Sequence, residues 1–222
     1  MAKSYHLLMI KTKNHQLLAS GLTKMGQGIP ENTEQQLLEY VALLDKWNDK
    51  FNLTAVRDPE QMITQHILDS LSLLPFLTNL RSVLDVGTGA GLPGIPLAIA
   101  RPDISFNLLD STRKKINFVQ HVVTSLQLPN VEPICARVES LTVPMPIDMV
   151  ITRAVASLGD FVNLIAGLCT AQTQIVAMKG RKQQALLEAQ TLPAGFKLLN
   201  IQEVVVPGLD AERCLVFLSK ED

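Results

Sequence analysis

One segment constrains the fold of this chain more than any other: LDVGTGAGLPGIPLAIARPD, at residues 84–103. Four glycines fall within eight positions, after a short apolar run and before a helix-like one. A glycine-rich turn between a strand and a helix binds ligands in α/β proteins, because the missing side chains let a ligand lie against the backbone. The segment therefore predicts an α/β fold with a ligand at this turn; a tight turn without a ligand is the disfavoured alternative.

The rest of the chain from residue 81 onward supports that fold class. Strand-like runs such as SVLDV, SFNLLD, DMVITRA and TQIVAMKG alternate with helix-like runs, a pattern typical of βαβ units in a parallel sheet. The last two strand-like runs, FKLLNIQEVVV and RCLVFLSK, are separated only by PGLDAE. This gap is too short for a parallel crossover, so we expect a mostly parallel seven-stranded sheet that ends in an antiparallel hairpin.

The first third of the chain carries helix signals and no strand signals. Apolar residues between positions 37 and 51 recur at helical spacing, and Thr33 with Gln36 matches a capping box. Asp58 followed by Pro59 predicts the start of a second helix, while residues 1–29 are weakly patterned. We therefore expect a helical extension over residues 1–78, packed on a core domain at residues 79–222.

Composition excludes several classes of protein. With 222 residues and a net charge of −1, the chain does not have the generally basic character of many nucleic-acid-binding proteins, so any RNA contact must come from a local patch. Its three cysteines are widely spaced, which argues against structural zinc and a disulfide framework and suits a reducing compartment. No apolar run is long enough for a signal-peptide core or a bilayer span. We expect a cytoplasmic protein without a metal ion, a membrane contact or a DNA partner.

The ligand at the glycine-rich turn follows from the acidic residues beside it. Asp85 ends the first strand of the sheet, where a dinucleotide would place its pyrophosphate near the carboxylate. S-adenosylmethionine instead brings an ammonium and a sulfonium, both of which a carboxylate attracts. Asp110 ends the second strand and can accept from ribose hydroxyls in either case. The residues favour S-adenosylmethionine, with an NAD-dependent oxidoreductase as the alternative.

Motifs that the sequence lacks reduce the number of possible acceptor atoms for the methyl group. The fourth strand is followed by ITRAVAS and not by the Asn/Asp-Pro-Pro-aromatic loop that usually accompanies methylation of an exocyclic amine. Cys135 and Cys169 lie in apolar surroundings and are predicted to be core thiols, which disfavours a cysteine nucleophile. The acceptor that remains is a ring nitrogen with a free lone pair. Such an atom has to be aligned with the methyl–sulfur bond but needs no general base, so no catalytic side chain is expected.

Basic residues are predicted to gather at the rim of the sheet where ligands bind. They follow the second, fourth and fifth strands: Arg113, Lys114, Lys115, Arg153, Lys179, Arg181 and Lys182. Basic side chains are unfavourable at helix N-termini, so contact with RNA phosphates explains the placement better than simple solvation does.

The chain resembles the RsmG (GidB) family of bacterial 16S ribosomal RNA methyltransferases. The resemblance runs from about residue 16 to the C-terminus and is carried by segments such as NLTAVRDP, HILDS, GTGAGLPGIPL, LLDSTRKK, ARVE and ITRAVASL. It implies a class I (Rossmann-like) methyltransferase fold and transfer of a methyl group from S-adenosylmethionine. The implied acceptor is N7 of one guanosine in the decoding-region loop of 16S ribosomal RNA, either as naked RNA or in an assembling small subunit.

The resemblance also implies positions for the cofactor. Matched residue by residue, the family's cofactor positions are Gly87, Leu92, Val138, Glu139 and Arg153. To these we add three residues of the first two strand ends: Asp85, Gly89 and Asp110. A monomer is expected, and a methyltransferase-like module that binds RNA without catalysis is a further alternative. We expect His66 to make a structural hydrogen bond with the core domain, and Trp47 to pack in the core and not to stack on a base.

Overall fold

A computed structural model of the protein describes residues 2–26, 29–30, 32–141, 146–153 and 157–221, with side chains from Thr12 onward. Its centre is a seven-stranded sheet with the strand order β3-β2-β1-β4-β5-β7-β6. The strands are β1 Ser82–Val86, β2 Ser105–Asp110, β3 Val131–Cys135, β4 Met149–Arg153, β5 Gln174–Lys179, β6 Phe196–Val204 and β7 Arg213–Lys220.

Strand pairing confirms the predicted sheet. The first five strands pair in parallel, with β1 between β2 and β4. β7 pairs antiparallel with both β5 and β6, which confirms the C-terminal hairpin. All five residues of β1 are buried, as expected for a central strand with both faces covered. The carboxyl ends of β1, β2 and β4 therefore meet at one rim of the sheet.

Helices cover both faces of the sheet. They are α5 Gly94–Ala100, α6 Arg113–Leu126, α7 Leu158–Ile165 and α8 Lys182–Ala189. Alternate residues of β1 face opposite sides: Val83 belongs to a core cluster that includes α5, α6 and the N-terminal helices. Its neighbour Leu84 belongs to a second cluster with α7 and α8. This alternation is the period of two that a strand imposes on its side chains.

The N-terminal part of the chain is helical, as predicted. Its first helix begins at Ala2, well before Thr33, where the first helix signal of the sequence lies. Its elements are α1 Ala2–Met25, α2 Thr33–Phe51, α3 Pro59–Met62, a π-helical turn at Ile63–Leu68, and α4 Asp69–Leu71. The sequence of α1 gave no clear period, yet Leu18 and Leu22 are buried in the core. Contact with the rest of the molecule, and not a strong amphipathic pattern, supports this helix.

One of the two predicted helix caps is correct. The side chain of Asp58 accepts a hydrogen bond from the amide of Glu60, which confirms the cap at Pro59. The capping box at Thr33 is wrong: Asn32 precedes the helix in a left-handed conformation, and it makes no side-chain cap. Thr33 is itself the first residue of the helix and is buried, so its hydroxyl is not placed as a cap.

The helical region packs directly on the sheet domain. The hydroxyl of Tyr40 donates to the carbonyl oxygen of Ala90 in the glycine-rich turn at 2.8 Å. Trp47 packs against Phe118 of α6 with ring centroids 5.5 Å apart; it is only partly buried, so it lies at the edge of the predicted core. The division at residues 78 and 79 stays a prediction. Among the described helices, none is both long and apolar enough to cross a membrane.

Candidate functional site

A cleft of about 370 Å³ opens at the rim where β1, β2 and β4 end. Its volume lies in the range of small-molecule sites. The lining residues come from the ends of β1 to β4, from the turns that follow them, and from α6 and α7: Val86, Gly87, Leu109, Asp110, Ser111, Thr112, Lys115, Ala136, Arg137, Val138, Glu139, Thr152, Arg153 and Leu164. The place of the cleft agrees with the general rule that open α/β sheets bind ligands beyond the carboxyl ends of their strands.

Gly87 lets the backbone form the floor of this cleft. Its φ is +75°, in the left-handed region that favours glycine, and no heavy atom lies within 4 Å of where a Cβ would stand. The amides of Gly87 and Thr88 both donate to the carbonyl oxygen of Leu109, which ties the turn to the end of β2. A ligand can therefore approach the backbone at Gly87 without meeting a side chain there.

Asp85 lies beneath the glycine-rich turn and is 0% exposed. Its Oδ2 accepts from the hydroxyl of Thr88 at 2.7 Å and from the amide of Gly94 at 3.0 Å. Burial raises the pKa of this carboxyl to about 6, against the opposing effect of those two hydrogen bonds and of Arg153. Its Oδ1 is buried and has no partner among the described residues.

The contact of Asp85 with Gly94 bears on the choice of ligand. Gly94 is the first residue of α5, and its amide would be one of the donors to a pyrophosphate in a dinucleotide site. That amide is already bound by a carboxylate, and the next one, of Ile95, donates to the carbonyl oxygen of Gly91 at 2.7 Å. This helix N-terminus is therefore not arranged for a second anion. The geometry favours a cationic ligand over a dinucleotide.

Asp110 presents a different carboxylate to the cleft. Its Oδ1 accepts from the amide of Thr112 at 2.8 Å, and its Oδ2 accepts from the amide of Gly89 at 3.0 Å. Lys115 donates to the same Oδ2 at 3.3 Å. Two backbone amides fix the orientation of the group, and the lone pairs that remain can accept from the hydroxyls of a ribose.

The turn after β3 forms the third side of the cleft. A short 3₁₀ helix spans Val138–Ser140, and both Val138 and Glu139 line the cleft. Val138 is buried and offers an apolar surface, which suits a flat base. Arg137 lines the cleft as well, and our sequence reasoning missed it, although it is part of the ARVE segment. A basic residue directly before two predicted site residues, Val138 and Glu139, is the signal that could have found it.

Arg153 at the end of β4 lines the cleft and contacts the helical region. Its Nη1 donates to the carbonyl oxygen of Gln65 at 3.2 Å, and it lies 3.5 Å from Nδ1 of His66. His66 also hydrogen-bonds Thr54 through Nε2 at 2.8 Å. Burial, together with the charge of Arg153, lowers the pKa of His66 to about 4, so this imidazole is neutral near pH 7. The prediction of a structural hydrogen bond from His66 to the core domain is confirmed.

The predicted cofactor residues divide into two groups. Five of them line the cleft: Gly87, Asp110, Val138, Glu139 and Arg153. The other three lie behind it, where they shape the turn: Asp85, Gly89 and Leu92. Leu92 is 3% exposed, and its amide donates to the carbonyl oxygen of Thr88. Their assignment as donor-binding residues stays a prediction.

The predicted RNA-contacting residues also divide. Three near α8 have acidic partners: Lys179 lies 2.7 Å from Glu188, Lys182 lies 2.9 Å from Glu203, and Arg181 lies 3.6 Å from Glu212. Lys115 pairs with Asp110 inside the cleft. In contrast, Arg113 and Lys114 are exposed at the start of α6 and form no ion pair within the described part of the chain. The ammonium of Lys114 donates to the carbonyl oxygen of Phe51 at 3.3 Å, a neutral group that does not compensate its charge.

Of the predicted core thiols, one is buried and one is not. Cys169 is buried, and burial raises its pKa to about 11. Cys135 is only partly buried, because β3 is the edge strand of the sheet and its last residues face solvent on one side.

The cleft fits S-adenosylmethionine. A backbone floor at Gly87, a carboxylate at Asp110 and an apolar turn at Val138 match the amino-acid, ribose and base parts of that molecule in kind. Oδ1 of Asp85 has no partner among the described residues, so a cation or a water molecule beside it would satisfy this buried atom.

Comparisons with known proteins agree with this assignment. Residues 33–216 match the model of the GidB family, described as rRNA small subunit methyltransferase G. The ribosomal RNA small subunit methyltransferase G of Alteromonas mediterranea is 42% identical over 214 residues, 96% of this chain and 100% of the relative. The enzyme of the same name from Neisseria meningitidis is 46% identical over 203 residues, 91% of this chain and 97% of the relative.

A solved structure supports the fold. A SAM-dependent methyltransferase from Aquifex aeolicus superposes with a TM-score of 0.56 at 17% identity, covering 82% of this chain and 97% of that one. At this identity the likeness concerns the fold alone.

Proposed function

The chain belongs to the rRNA small subunit methyltransferase G family, and from this premise we propose that it methylates N7 of one guanosine in the decoding-region loop of 16S ribosomal RNA. The observation that carries the proposal is the family match, which extends over residues 33–216. S-adenosylmethionine is the methyl donor. When bound, it supplies a methyl group on a positively charged sulfur, ready for attack by a nucleophile.

The residues of the cleft would hold the donor from three sides. The carboxylate of Asp110 would accept from the ribose, and the turn at Val138 and Glu139 would hold the adenine. Gly87 would allow the remaining part of the donor to lie against the backbone. This arrangement orients the donor with groups that are already fixed by hydrogen bonds, such as the two amides on Asp110.

The acceptor nitrogen does not require a base. N7 of guanine carries a free lone pair, so its attack on the methyl carbon releases no proton at that atom. The described residues that line the cleft include neither His nor Cys, and the lysine among them, Lys115, is paired with Asp110. The proposed contribution of the protein is therefore alignment and exclusion of water rather than proton transfer.

Methyl transfer from isotopically labelled S-adenosylmethionine onto RNA tests the proposal. Naked 16S ribosomal RNA and isolated small ribosomal subunits are compared, and the modified nucleotide is mapped by cleavage at N7-methylguanosine. We expect one methylated guanosine in the decoding-region loop. Methylation elsewhere, or at another atom, would contradict the proposed substrate.

A binding measurement separates this proposal from its alternative. S-adenosylhomocysteine should raise the melting temperature of the protein, whereas NAD should not, because Asp85 already binds the first amide of α5. Stabilisation by NAD alone would favour the oxidoreductase.

The remaining parts of the proposal concern the setting of the enzyme. We place it in the cytoplasm, where ribosomal RNA is found in bacteria, and propose that it acts as a monomer without a DNA partner. The exposed side chains of Arg113 and Lys114, which form no ion pair with the described residues, support RNA contact at the start of α6.

A further inference from the structure

Asp69 is a buried carboxylate outside the cleft that contacts two arginines. The residue is 3% exposed. Its Oδ1 accepts from Nε of Arg213 at 2.9 Å, and its Oδ2 lies 3.5 Å from Nη1 of Arg153. Arg153 ends β4 and Arg213 begins β7. One carboxylate of the helical region therefore joins the ends of two strands that are not neighbours in the sheet.

The π-helical turn Ile63–Leu68 brings two acceptors to Arg153. The amide of Asp69 closes this turn by donating to the carbonyl oxygen of Thr64, five residues earlier. The carbonyl oxygen of Gln65 accepts from Nη1 of Arg153 at 3.2 Å, and the carboxylate of Asp69 reaches the same nitrogen. Single π turns inside α-helices are frequent at functional sites, because they redirect the groups around them. Here the turn aims a carbonyl and a carboxylate at one guanidinium.

The charge of this cluster makes Asp69 the decisive partner. His66, which also lies near Arg153, is neutral near pH 7, so it neither adds to the positive charge of the cluster nor compensates it. Within the helical segment, Asp69 is therefore the group that compensates the two guanidiniums. Without its charge, two like charges would remain partly buried, since the arginine side chains are only 23% and 26% exposed.

The two arginines face different openings of the surface. Arg153 lines the donor cleft. Arg213 lines a neighbouring groove between the start of α8 and the β6–β7 connection. Each guanidinium has five N–H donors, and Asp69 has only two oxygens, so both arginines keep donors for other groups.

We propose that Asp69 is a positioning residue, which holds Arg153 in the orientation that the donor cleft requires and couples it to Arg213 in the neighbouring groove. The proposal rests on the proposed function, because it takes the cleft to be the donor site. The helical region then has a role besides packing on the sheet: its residue Asp69 orients the guanidinium of Arg153 at the donor cleft.

The test replaces Asp69 by asparagine, which keeps the size of the side chain and removes its charge. We expect Asp69→Asn to weaken S-adenosylhomocysteine binding about tenfold in calorimetry, the loss expected for one charge-assisted hydrogen bond. The kcat/KM for methyl transfer to 16S ribosomal RNA should fall about 10- to 100-fold, because a misplaced contact group is costly in the transition state. Melting curves of both proteins report the change in stability.

Asp148→Asn is the matched control. This aspartate accepts from the amides of Arg81 and Ser82 at 2.6 and 3.0 Å, at the opposite end of β4. Its replacement should lower the melting temperature without changing S-adenosylhomocysteine affinity. A merely structural role for Asp69 predicts the same behaviour in Asp69→Asn as in this control.

A double-mutant cycle isolates the coupling to Arg153. If Asp69 acts through Arg153, adding Asp69→Asn to Arg153→Ala should weaken binding no further. Should Asp69→Asn fail to fold because of uncompensated charge, Asp69→Asn combined with Arg213→Met restores the charge balance. That pair should still weaken S-adenosylhomocysteine binding about tenfold, since Arg153 has lost its carboxylate.

Two results would overturn the proposal: binding within about twofold of wild type in a folded Asp69 variant, or additive losses in the cycle. The proposed function fails separately. A wild-type protein that binds S-adenosylhomocysteine but methylates no ribosomal RNA removes the substrate assignment, while the binding cycle still decides the role of Asp69. A wild type that does not bind S-adenosylhomocysteine overturns both proposals.

Discussion

The turns after β1 and β2 both follow an aspartate, but they place its carboxylate differently with respect to the cleft. Each follows an aspartate at the carboxyl end of a parallel strand, Asp85 in the first and Asp110 in the second. Asp85 is completely buried and binds the hydroxyl and amide of its own turn, at Thr88 and Gly94. Asp110 lines the cleft, and its carboxylate is held there by two amides.

Asp85 and Asp110 show that a residue's position at the end of a strand does not by itself determine its role. What decides it is whether the following turn folds back over the carboxylate. The glycine-rich turn after β1 does so, and it converts Asp85 into an internal support of the cleft. The short turn after β2 leaves Asp110 in the lining of the cleft. Four measurements test this contrast.

The largest effect is expected for the close packing behind the first turn. A Cβ on Gly94 would overlap the side chain of Leu108 and lie 2.9 Å from Oδ2 of Asp85. Because both neighbours are buried, Gly94→Ala should lower the free energy of unfolding by about 1–3 kcal/mol. Gly167→Ala is the control, since nothing lies within 4 Å of its Cβ position. Denaturant unfolding measures both, and equal stability of the two variants would show that the space behind the turn is not filled.

The second effect concerns the carboxylate that faces the cleft. Asp110→Asn should weaken S-adenosylhomocysteine binding about tenfold or more, because a charged acceptor for the ribose hydroxyls is lost. Asp103→Asn is the control: this carboxylate pairs with Arg101 at 2.7 Å, close to the start of β2 and away from the cleft. Isothermal calorimetry measures both affinities. An unchanged affinity in Asp110→Asn would place the ribose elsewhere.

The buried carboxylate of Asp85 should make the affinity for S-adenosylhomocysteine depend on pH. The pKa of Asp85 is raised to about 6 by burial, so the group loses its charge as pH falls below that value. The ammonium of S-adenosylhomocysteine interacts more favourably with the ionised form, so the affinity for this molecule should fall about tenfold between pH 7 and roughly pH 5. The stability of the free protein changes in the opposite sense: the raised pKa contributes stability below about pH 4, and that contribution is lost as pH rises through 6.

Asp85→Asn gives the control for this pH dependence. Its affinity should be weaker than that of wild type at pH 7 and nearly flat over the same range. A wild-type affinity that does not change between these pH values would mean that the donor does not sense the charge of Asp85. Two charged groups act on the Asp85 carboxyl: Arg153 lowers its pKa and Asp110 raises it.

The smallest effect is expected at the basic rim. Arg113 and Lys114 follow the second turn and form no ion pair within the described residues, whereas Arg181 and Lys182 pair with Glu212 and Glu203. Replacing Arg113 and Lys114 by alanine should flatten the salt dependence of RNA binding by about 0.7–0.9 in logarithmic slope for each lost phosphate contact.

The corresponding change at Arg181 and Lys182 should have a smaller effect on that slope, because their charges are partly compensated by acidic partners. A salt series of RNA binding for wild type and both double variants measures this. A larger change for the second pair would move the RNA surface to the α8 side of the sheet.

Much of the fold could be predicted from local patterns. The runs SVLDV and RCLVFLSK coincide with β1 and β7, because buried strands are short, apolar and bounded by turn residues. The helix α1 could not be predicted, since its apolar residues do not form a strong stripe and its burial depends on partners elsewhere, such as Leu68 beside Gly21. The capping box at Thr33 failed for a related reason: the side chain is buried by its surroundings.

The candidate site divides in the same way. The strand ends, the glycine-rich turn and the aspartates at the rim could be located from the sequence, because these features follow from residue types at short spacing. The packing of distant segments sets which of these residues face the cleft, which basic side chains are paired, and that Asp69 bridges two arginines. The ion pair between Asp69 and Arg213 joins residues 144 positions apart. Such partners depend on how distant segments pack, and local spacing carries no information about that packing.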